Sequence, residues 1–180
     1  MVVRRFQGLT QGFTLIELMI AIVILGILLV IAVPSFSRLL AEQRLRTASS
    51  ELRNTLALAR AEAVKRNESV KVLASSSGWC AVSASNSASN CSSVAGSELL
   101  SEQLLVSSVS LSAPTSATEF NSWGRSATCS TYDFSTSAQG STCRMCLYVE
   151  TNGRVKGVSS ACEGTCPDSS EESVWFGACG

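Results

Sequence analysis

Eight cysteines are the residues of this sequence whose type and spacing most clearly suggest chemistry, and none lies in the first 79 residues. Cys143 and Cys146 are separated by two residues, and Cys162 and Cys166 by three, superficially like a zinc ribbon. An even number of clustered cysteines is also typical of a disulfide framework, which needs an oxidising compartment. We favour disulfides over zinc or free thiols, because a strand over residues 143–149 would direct Cys143 and Cys146 to opposite faces.

The simplest disulfide hypothesis joins each cysteine to the next one along the chain. Each bond would then close a short loop and constrain the cysteine-containing part of the chain, whose Ser-rich loops add little to a hydrophobic core. Many other pairings are open, so the scheme is a hypothesis. Its pairs are Cys80–Cys91, Cys129–Cys143, Cys146–Cys162 and Cys166–Cys179.

Catalytic chemistry is not expected from these residues. The chain contains no His, which is the commonest general base and metal ligand. It also has no Gly-x-Ser-x-Gly elbow and no phosphate-binding loop. We therefore predict a protein that is not an enzyme and that holds no cofactor or metal.

Glu17 is the single charged residue in an apolar run over residues 13–33. As a helix this run would be about 31 Å long, close to the thickness of the hydrocarbon core of a bilayer. A carboxylate inside hydrocarbon costs several kcal/mol unless it is paired. A plain membrane anchor therefore has no reason to carry Glu17.

The twelve residues before this run are short, polar and basic. By the positive-inside rule they should stay in the cytoplasm, which places the cysteines on the other side of the membrane. An ordinary secretory signal is cleaved after its apolar core at a small-residue site, and no such site follows residue 33.

The junction between Gly12 and Phe13 instead precedes the apolar run, and the stretch GFTLIE from Gly12 to Glu17 closely resembles the type IV prepilin signal. The resemblance implies that prepilin peptidase cleaves after Gly12 and that the new terminal Phe13 is N-methylated. It implies that Glu17 pairs with the Phe13 amine of a neighbouring filament subunit. Pro34 matches the family's proline and predicts a kink in the helix.

A second helical segment follows over residues 34–71, with the apolar periodicity of a helix. Its apolar stripe, which we expect to pack on the head, comprises Leu45, Ala48, Leu52, Leu56, Ala59 and Ala63. We expect the helix to end between residues 67 and 72. Residues 38–71 carry eight basic and four acidic side chains, a net charge of +4, whereas residues 72–180 carry four and nine, a net charge of −5.

We call residues 34–71 the stem. Its segment 52–67 is similar to the stem helix of the H-type pseudopilins of type II secretion and of the FimT/FimU-type minor pilins. Residues 146–156, with their Gly-Arg turn, resemble a late strand–turn–strand of the same family. The resemblance implies an α+β, pilin-like fold with a small antiparallel β-rich head. The expected organisation is a leader (1–12), a transmembrane assembly helix (13–33), an amphipathic stem (34–71) and a disulfide-rich head (72–180).

The head sequence predicts strands near residues 70–73, 78–82, 102–111, 118–123, 131–135 and 144–150, with a loop over 83–96. Asn152-Gly153 predicts a two-residue hairpin turn between strands over 146–151 and 154–159. Trp79, Trp123 and Trp175 are candidates for stacking on a ligand, although we favour packing in a domain with few aromatics.

The family resemblance implies a structural function, in which a minor pilin or pseudopilin primes or caps a filament. The implied partners are other pilins or pseudopilins, prepilin peptidase and the inner-membrane assembly platform. The implied location is the bacterial inner membrane as a single-pass protein with a periplasmic head, and then the filament near its tip. Type IV pilus and type II secretion pseudopilus both stay open.

The alternative function is DNA capture for natural transformation, as in some FimT-type members. Arg154 and Lys156 in the segment 153–156 partly match the basic turn that those members use. The net charge of the head argues against nucleic acid as a partner, because phosphate binding needs clustered cations.

Overall fold

The helix α1 spans Leu15–Arg66 in a computed structural model that describes residues 12–94, 99–138, 140–158 and 162. Of residues 31–35 only the helical backbone is described. The helix is uninterrupted at position 34, and the kink expected at Pro34 stays a prediction. In the part of the chain that the structure describes, no helix is sufficiently long and apolar to cross a bilayer.

The C-terminus of α1 is set by Asn67, which adopts the left-handed conformation with a φ of 54°. The backbone N–H of Glu68 donates to the carbonyl oxygen of Ala63 at 3.2 Å. This arrangement is the Schellman motif, which satisfies carbonyls that the helix end leaves without partners. The helix therefore ends at Arg66, one residue before the range expected from the sequence.

The chain divides into two compact units, Met1–Phe36 and Ser37–Gly180. Within the second unit, eight strands follow the helix: β1 (Val70–Ser75), β2 (Gly78–Ser83), β3 (Leu99–Leu104), β4 (Ser110–Ser112), β5 (Thr118–Phe120), β6 (Ser130–Ala138), β7 (Ser141–Val149) and β8 (Val155–Val158). They form two antiparallel four-stranded sheets, with the orders β3-β2-β1-β5 and β4-β6-β7-β8. The stem helix and the antiparallel β-rich head together form an α+β fold, as expected for a pilin-like protein.

The core of this unit lies between the apolar stripe of the stem and both sheets. All six residues of the predicted stripe are at most 5% exposed. They share one hydrophobic cluster with side chains from both sheets, among them Trp79, Phe120, Phe134 and Met145. The ring of Trp79 meets that of Phe134 edge to face, with centroids 6.1 Å apart. The prediction that the stem packs on the head is confirmed.

Two details of the predicted head are wrong. The strand expected over residues 102–111 is two strands, because the chain turns between β3 and β4, where the N–H of Val109 donates to the carbonyl of Val106 at 2.9 Å. The hairpin between β7 and β8 has a five-residue loop, since Val149 pairs with Val155. Gly153 still occupies the left-handed region expected of a turn, with a φ of 77°.

Candidate functional site

The N-terminal segment exposes apolar side chains on every side of the helix. Each described residue from 12 to 30 is exposed, and Phe13 is 83% exposed. A helix that is hydrophobic all round is stable only when lipid or other protein covers it. This part of α1 therefore needs lipid or other protein to cover it. Glu17 lies in its first turn, and Gly12 and Phe13 precede it.

Thr14 has a local structural role at the start of α1 that was not among the sequence predictions. The N–H of Glu17 donates to Thr14 Oγ1 at 3.3 Å, so Thr14 caps the helix. The pattern Thr-x-x-Glu is the signature of a capping box, and it was readable in the sequence. A carboxylate in the first turn is also favoured by the helix dipole. The pairing of Glu17 with a Phe13 amine stays a prediction, and so does cleavage after Gly12.

Each sheet is linked by a disulfide to a segment outside the strands. Cys80 on β2 is bonded to Cys91, which begins a single 3₁₀ turn in the following loop. Cys146 on β7 is bonded to Cys162. Both bonds belong to the sequential scheme.

The pairing of Cys129 with Cys143 is wrong. In the ladder between β6 and β7, Cys143 lies opposite Thr136, and Val149 lies opposite Ser130. Cys129 precedes Ser130, so it is seven residues, about 23 Å of strand, from the position opposite Cys143. A disulfide needs Cα atoms within about 7 Å. Cys129 and Cys143 are both disulfide-bonded, but not to each other.

The expected bond between Cys166 and Cys179 lies outside the described residues, as does Trp175. Within the described ranges, no three His, Cys, Asp or Glu side chains are placed to hold a metal ion. Three of the four cysteines of the zinc hypothesis are not available as thiolate ligands, because Cys146 is bonded to Cys162 and Cys143 is also in a disulfide.

The two cations proposed to bind DNA, Arg154 and Lys156, have different environments. Lys156 Nζ lies 2.8 Å from Glu150 Oε1, and these side chains are only 11% and 10% exposed. The hydrogen bond from Lys156 lowers the pKa of the Glu150 carboxyl below its ordinary value. Lys156 is thus neutralised within the fold, whereas Arg154 is exposed.

Arg154 lies in an open groove of about 740 Å³ between the stem and the β7–β8 turn. We call this surface the basic groove; its lining residues are Arg53, Ala57, Arg60, Ala61, Val64, Lys65, Gly153, Arg154 and Val155. Four of the nine are cationic and none is acidic. Three of these cations come from the basic stem, and the β7–β8 turn adds Arg154 beside them.

Arg60 connects the two walls of the basic groove. Its Nη2 donates to the carbonyl oxygen of Asn152 at 3.4 Å. Beside it, Glu62 accepts from Arg66 Nε at 2.7 Å and from Lys65 Nζ at 3.3 Å, and these hydrogen bonds lower its pKa. Glu62 is not a lining residue, but it pairs with Lys65 of the groove lining as well as with Arg66.

Comparisons with known proteins agree with this architecture. Residues 48–153 match the model of the family described as type II transport protein GspH, and residues 9–33 match the prokaryotic N-terminal methylation motif. No curated protein sequence gives a significant match.

Among solved structures, the chain is similar to the type IV minor pilin FimU of Pseudomonas aeruginosa in two crystal forms. The first match has 18% identity and a TM-score of 0.50, and it covers 63% of this chain and 87% of FimU. The second has 20% identity and a TM-score of 0.50, and it covers 66% of this chain and 98% of FimU. At such identity the likeness shows the fold, whereas the family model spans more than half of the chain. The chain therefore belongs to the GspH family of type II transport proteins and is a pilin of the GspH/FimT–FimU type.

Proposed function

We propose that this pilin is a minor subunit that primes or caps a type IV pilus or a type II secretion pseudopilus. Prepilin peptidase would first cleave after Gly12, and residues 13–33 would hold the subunit in the inner membrane until the assembly platform moves it into the filament. The family and the fold are those of structural pilins, which assemble with other pilins or pseudopilins.

The observation that carries this proposal is the exposed apolar surface of the N-terminal segment. From residue 15 to residue 30, large side chains such as Ile16, Met19 and Val23 are more than half exposed. Lipid covers such a surface before assembly, and neighbouring helices cover it in a filament. A location near the filament tip is part of the same proposal.

Glu17 gives the sharpest test of this assembly role. We expect Glu17→Gln, which removes the charge but keeps the side chain's size, to reduce the amount of the subunit in sheared filaments strongly. Thr14→Ala is the matched control, because it removes the helix cap at a cost of about 1 kcal/mol and leaves the carboxylate. If Glu17→Gln has no effect, or only the effect of Thr14→Ala, the charge of Glu17 is not needed for incorporation and the proposed pairing is wrong.

DNA capture is the second candidate function, and one observation favours it. Arg154 does not stand alone, since Arg53, Arg60 and Lys65 line the same groove. The burial of Lys156 against Glu150 counts against it, because that cation is already neutralised. A gel shift at low and at moderate salt tests this function. The absence of any shift at low salt would exclude it.

A further inference from the structure

The basic groove has an apolar floor as well as cationic walls. Ala57, Ala61 and Val64 are spaced by four and three residues, so they form one stripe on the outer side of the stem. All three are exposed, and Val64 is 52% exposed. This stripe is separate from the one that packs on the sheets. A floor of small and branched apolar residues suits a packed polypeptide better than a phosphate backbone.

Trp123 stands beside this groove and is 81% exposed, although the sequence favoured packing for it. A rigid turn presents it. Asn121 Oδ1 accepts from the N–H groups of Trp123 and Arg125 at 3.0 Å, and the N–H of Gly124 donates to Asn121 O at 2.8 Å. A large aromatic side chain in water on a fixed turn is typical of a protein interface anchor.

The Trp123 turn and the groove form one continuous surface. A Cβ on Gly124 would lie 3.0 Å from Arg60 Nε and 3.2 Å from Val64 Cγ2, so the turn packs directly on two lining residues. The N–H of Ser126 also donates to the carbonyl of Thr151 at 3.1 Å, which joins this turn to the β7–β8 loop. The turn that carries Trp123 is therefore joined both to the stem wall of the groove and to the β7–β8 loop.

We infer that the basic groove and Trp123 together dock an acidic, amphipathic helical segment of a partner filament subunit. The partner's carboxylates would meet Arg60 and Arg154, which lie on the two walls of the groove. Its apolar face would cover the floor, and Trp123 would pack against it as the anchor. A polynucleotide fits less well, because its phosphates would leave the floor of Ala57, Ala61 and Val64 without an apolar partner. The inference rests on the proposed role in filament assembly.

Fluorescence anisotropy with the full, leader-cleaved chain in detergent tests this inference. The probe is a labelled helical peptide of about 20 residues, built from Ala on one face and Glu on the other. At low salt we expect saturable binding, weakened at least about tenfold by Trp123→Ala and by Arg60→Gln with Arg154→Gln. Arg144→Gln is the matched control. It removes an exposed arginine at the other end of β7 and should leave binding unchanged.

Two further probes give the alternative outcomes. A peptide with Lys in place of Glu should not bind, and a single-stranded oligonucleotide of similar length should bind more weakly than the Glu peptide. Tighter binding of the oligonucleotide would assign the groove to nucleic acid and overturn the inference. Binding of neither probe, or equal loss with Arg144→Gln, would overturn it too.

The filament assay separates this inference from the proposed function. If Glu17→Gln leaves incorporation unchanged while the Glu peptide still binds at Trp123, the proposed assembly role fails and the docking surface stands. If Glu17→Gln abolishes incorporation and the peptide does not bind, the assembly role stands and the docking surface fails.

Discussion

Trp79 Nε1 donates a hydrogen bond to Thr55 Oγ1 at 3.1 Å, and this bond joins β2 to the stem inside the core. The two residues are 1% and 4% exposed. Thr55 Oγ1 donates in turn to the carbonyl oxygen of Glu51 at 3.1 Å. These two hydrogen bonds therefore add a directional link between the stem and β2 to the non-directional apolar packing around them.

Thr55→Val should destabilise the second unit by about 1–3 kcal/mol, because the buried indole N–H of Trp79 loses its acceptor while volume is kept. Urea unfolding of the fragment 37–180, which contains the whole described core, measures the change. Ser50→Ala is the control, since it removes an exposed helical hydroxyl and should change stability by less than about 0.5 kcal/mol. Equal effects of both variants would contradict this role of Thr55.

Gly153→Ala should destabilise the head much more than Gly140→Ala. Both glycines are left-handed, with φ values of 77° and 79°, so each substitution carries about 1–2 kcal/mol of backbone strain. At Gly140 a Cβ meets nothing within 4 Å, whereas at Gly153 it overlaps the carbonyl oxygen of Gly124. The excess, measured by urea unfolding, should be about 1–3 kcal/mol. Equal losses would mean that the turn of Gly153 does not contact the turn of Gly124.

Much of this fold was predictable because it follows from local periodicity. The spacing of Leu45, Leu52 and Leu56 is sufficient to identify the buried face of the stem, since residues three and four apart share one side of a helix. The positions of most strands followed from short apolar and β-branched runs. Strand ends and loop lengths, such as the five-residue loop before Val155, depend on pairing register and were not predictable.

The candidate surface was mostly hidden from the sequence. Arg60 and Arg154 are 94 positions apart, and only the packing of the β7–β8 turn on the stem brings them to one groove. The exposure of Trp123 likewise follows from the turn that Asn121 closes. The sequence made Lys156 a candidate DNA-binding residue. Its burial against Glu150 could not be foreseen, because it depends on the register of the β7–β8 hairpin.

Peptide mapping of the non-reduced protein should contain the linked pairs Cys80–Cys91 and Cys146–Cys162. It should contain no peptide that links Cys129 to Cys143, because the ladder of β6 and β7 holds them about 23 Å apart. We expect each of these two to be linked to one of the two cysteines after residue 162. A Cys129–Cys143 peptide would show that the register is wrong.

The ion pair of Glu150 and Lys156 should make stability depend on pH. The lowered pKa of Glu150 in the folded chain means that its contribution is complete above the unfolded pKa, about 4.3, and disappears as the pH falls below it. The stability difference between the unmodified chain and Glu150→Gln should therefore be largest near pH 7 and should decrease as the pH falls below about 4. A difference that grows on acidification would contradict the pair.

The central claim is that this chain is cleaved, methylated and built into a filament through its apolar N-terminal segment, which begins at Phe13. The intact mass of the chain recovered from sheared filaments tests it most directly. We predict a species that begins at Phe13 and carries one added methyl group. A chain in the filament fraction that retains the residues up to Gly12, or a chain found only outside that fraction, would contradict the claim.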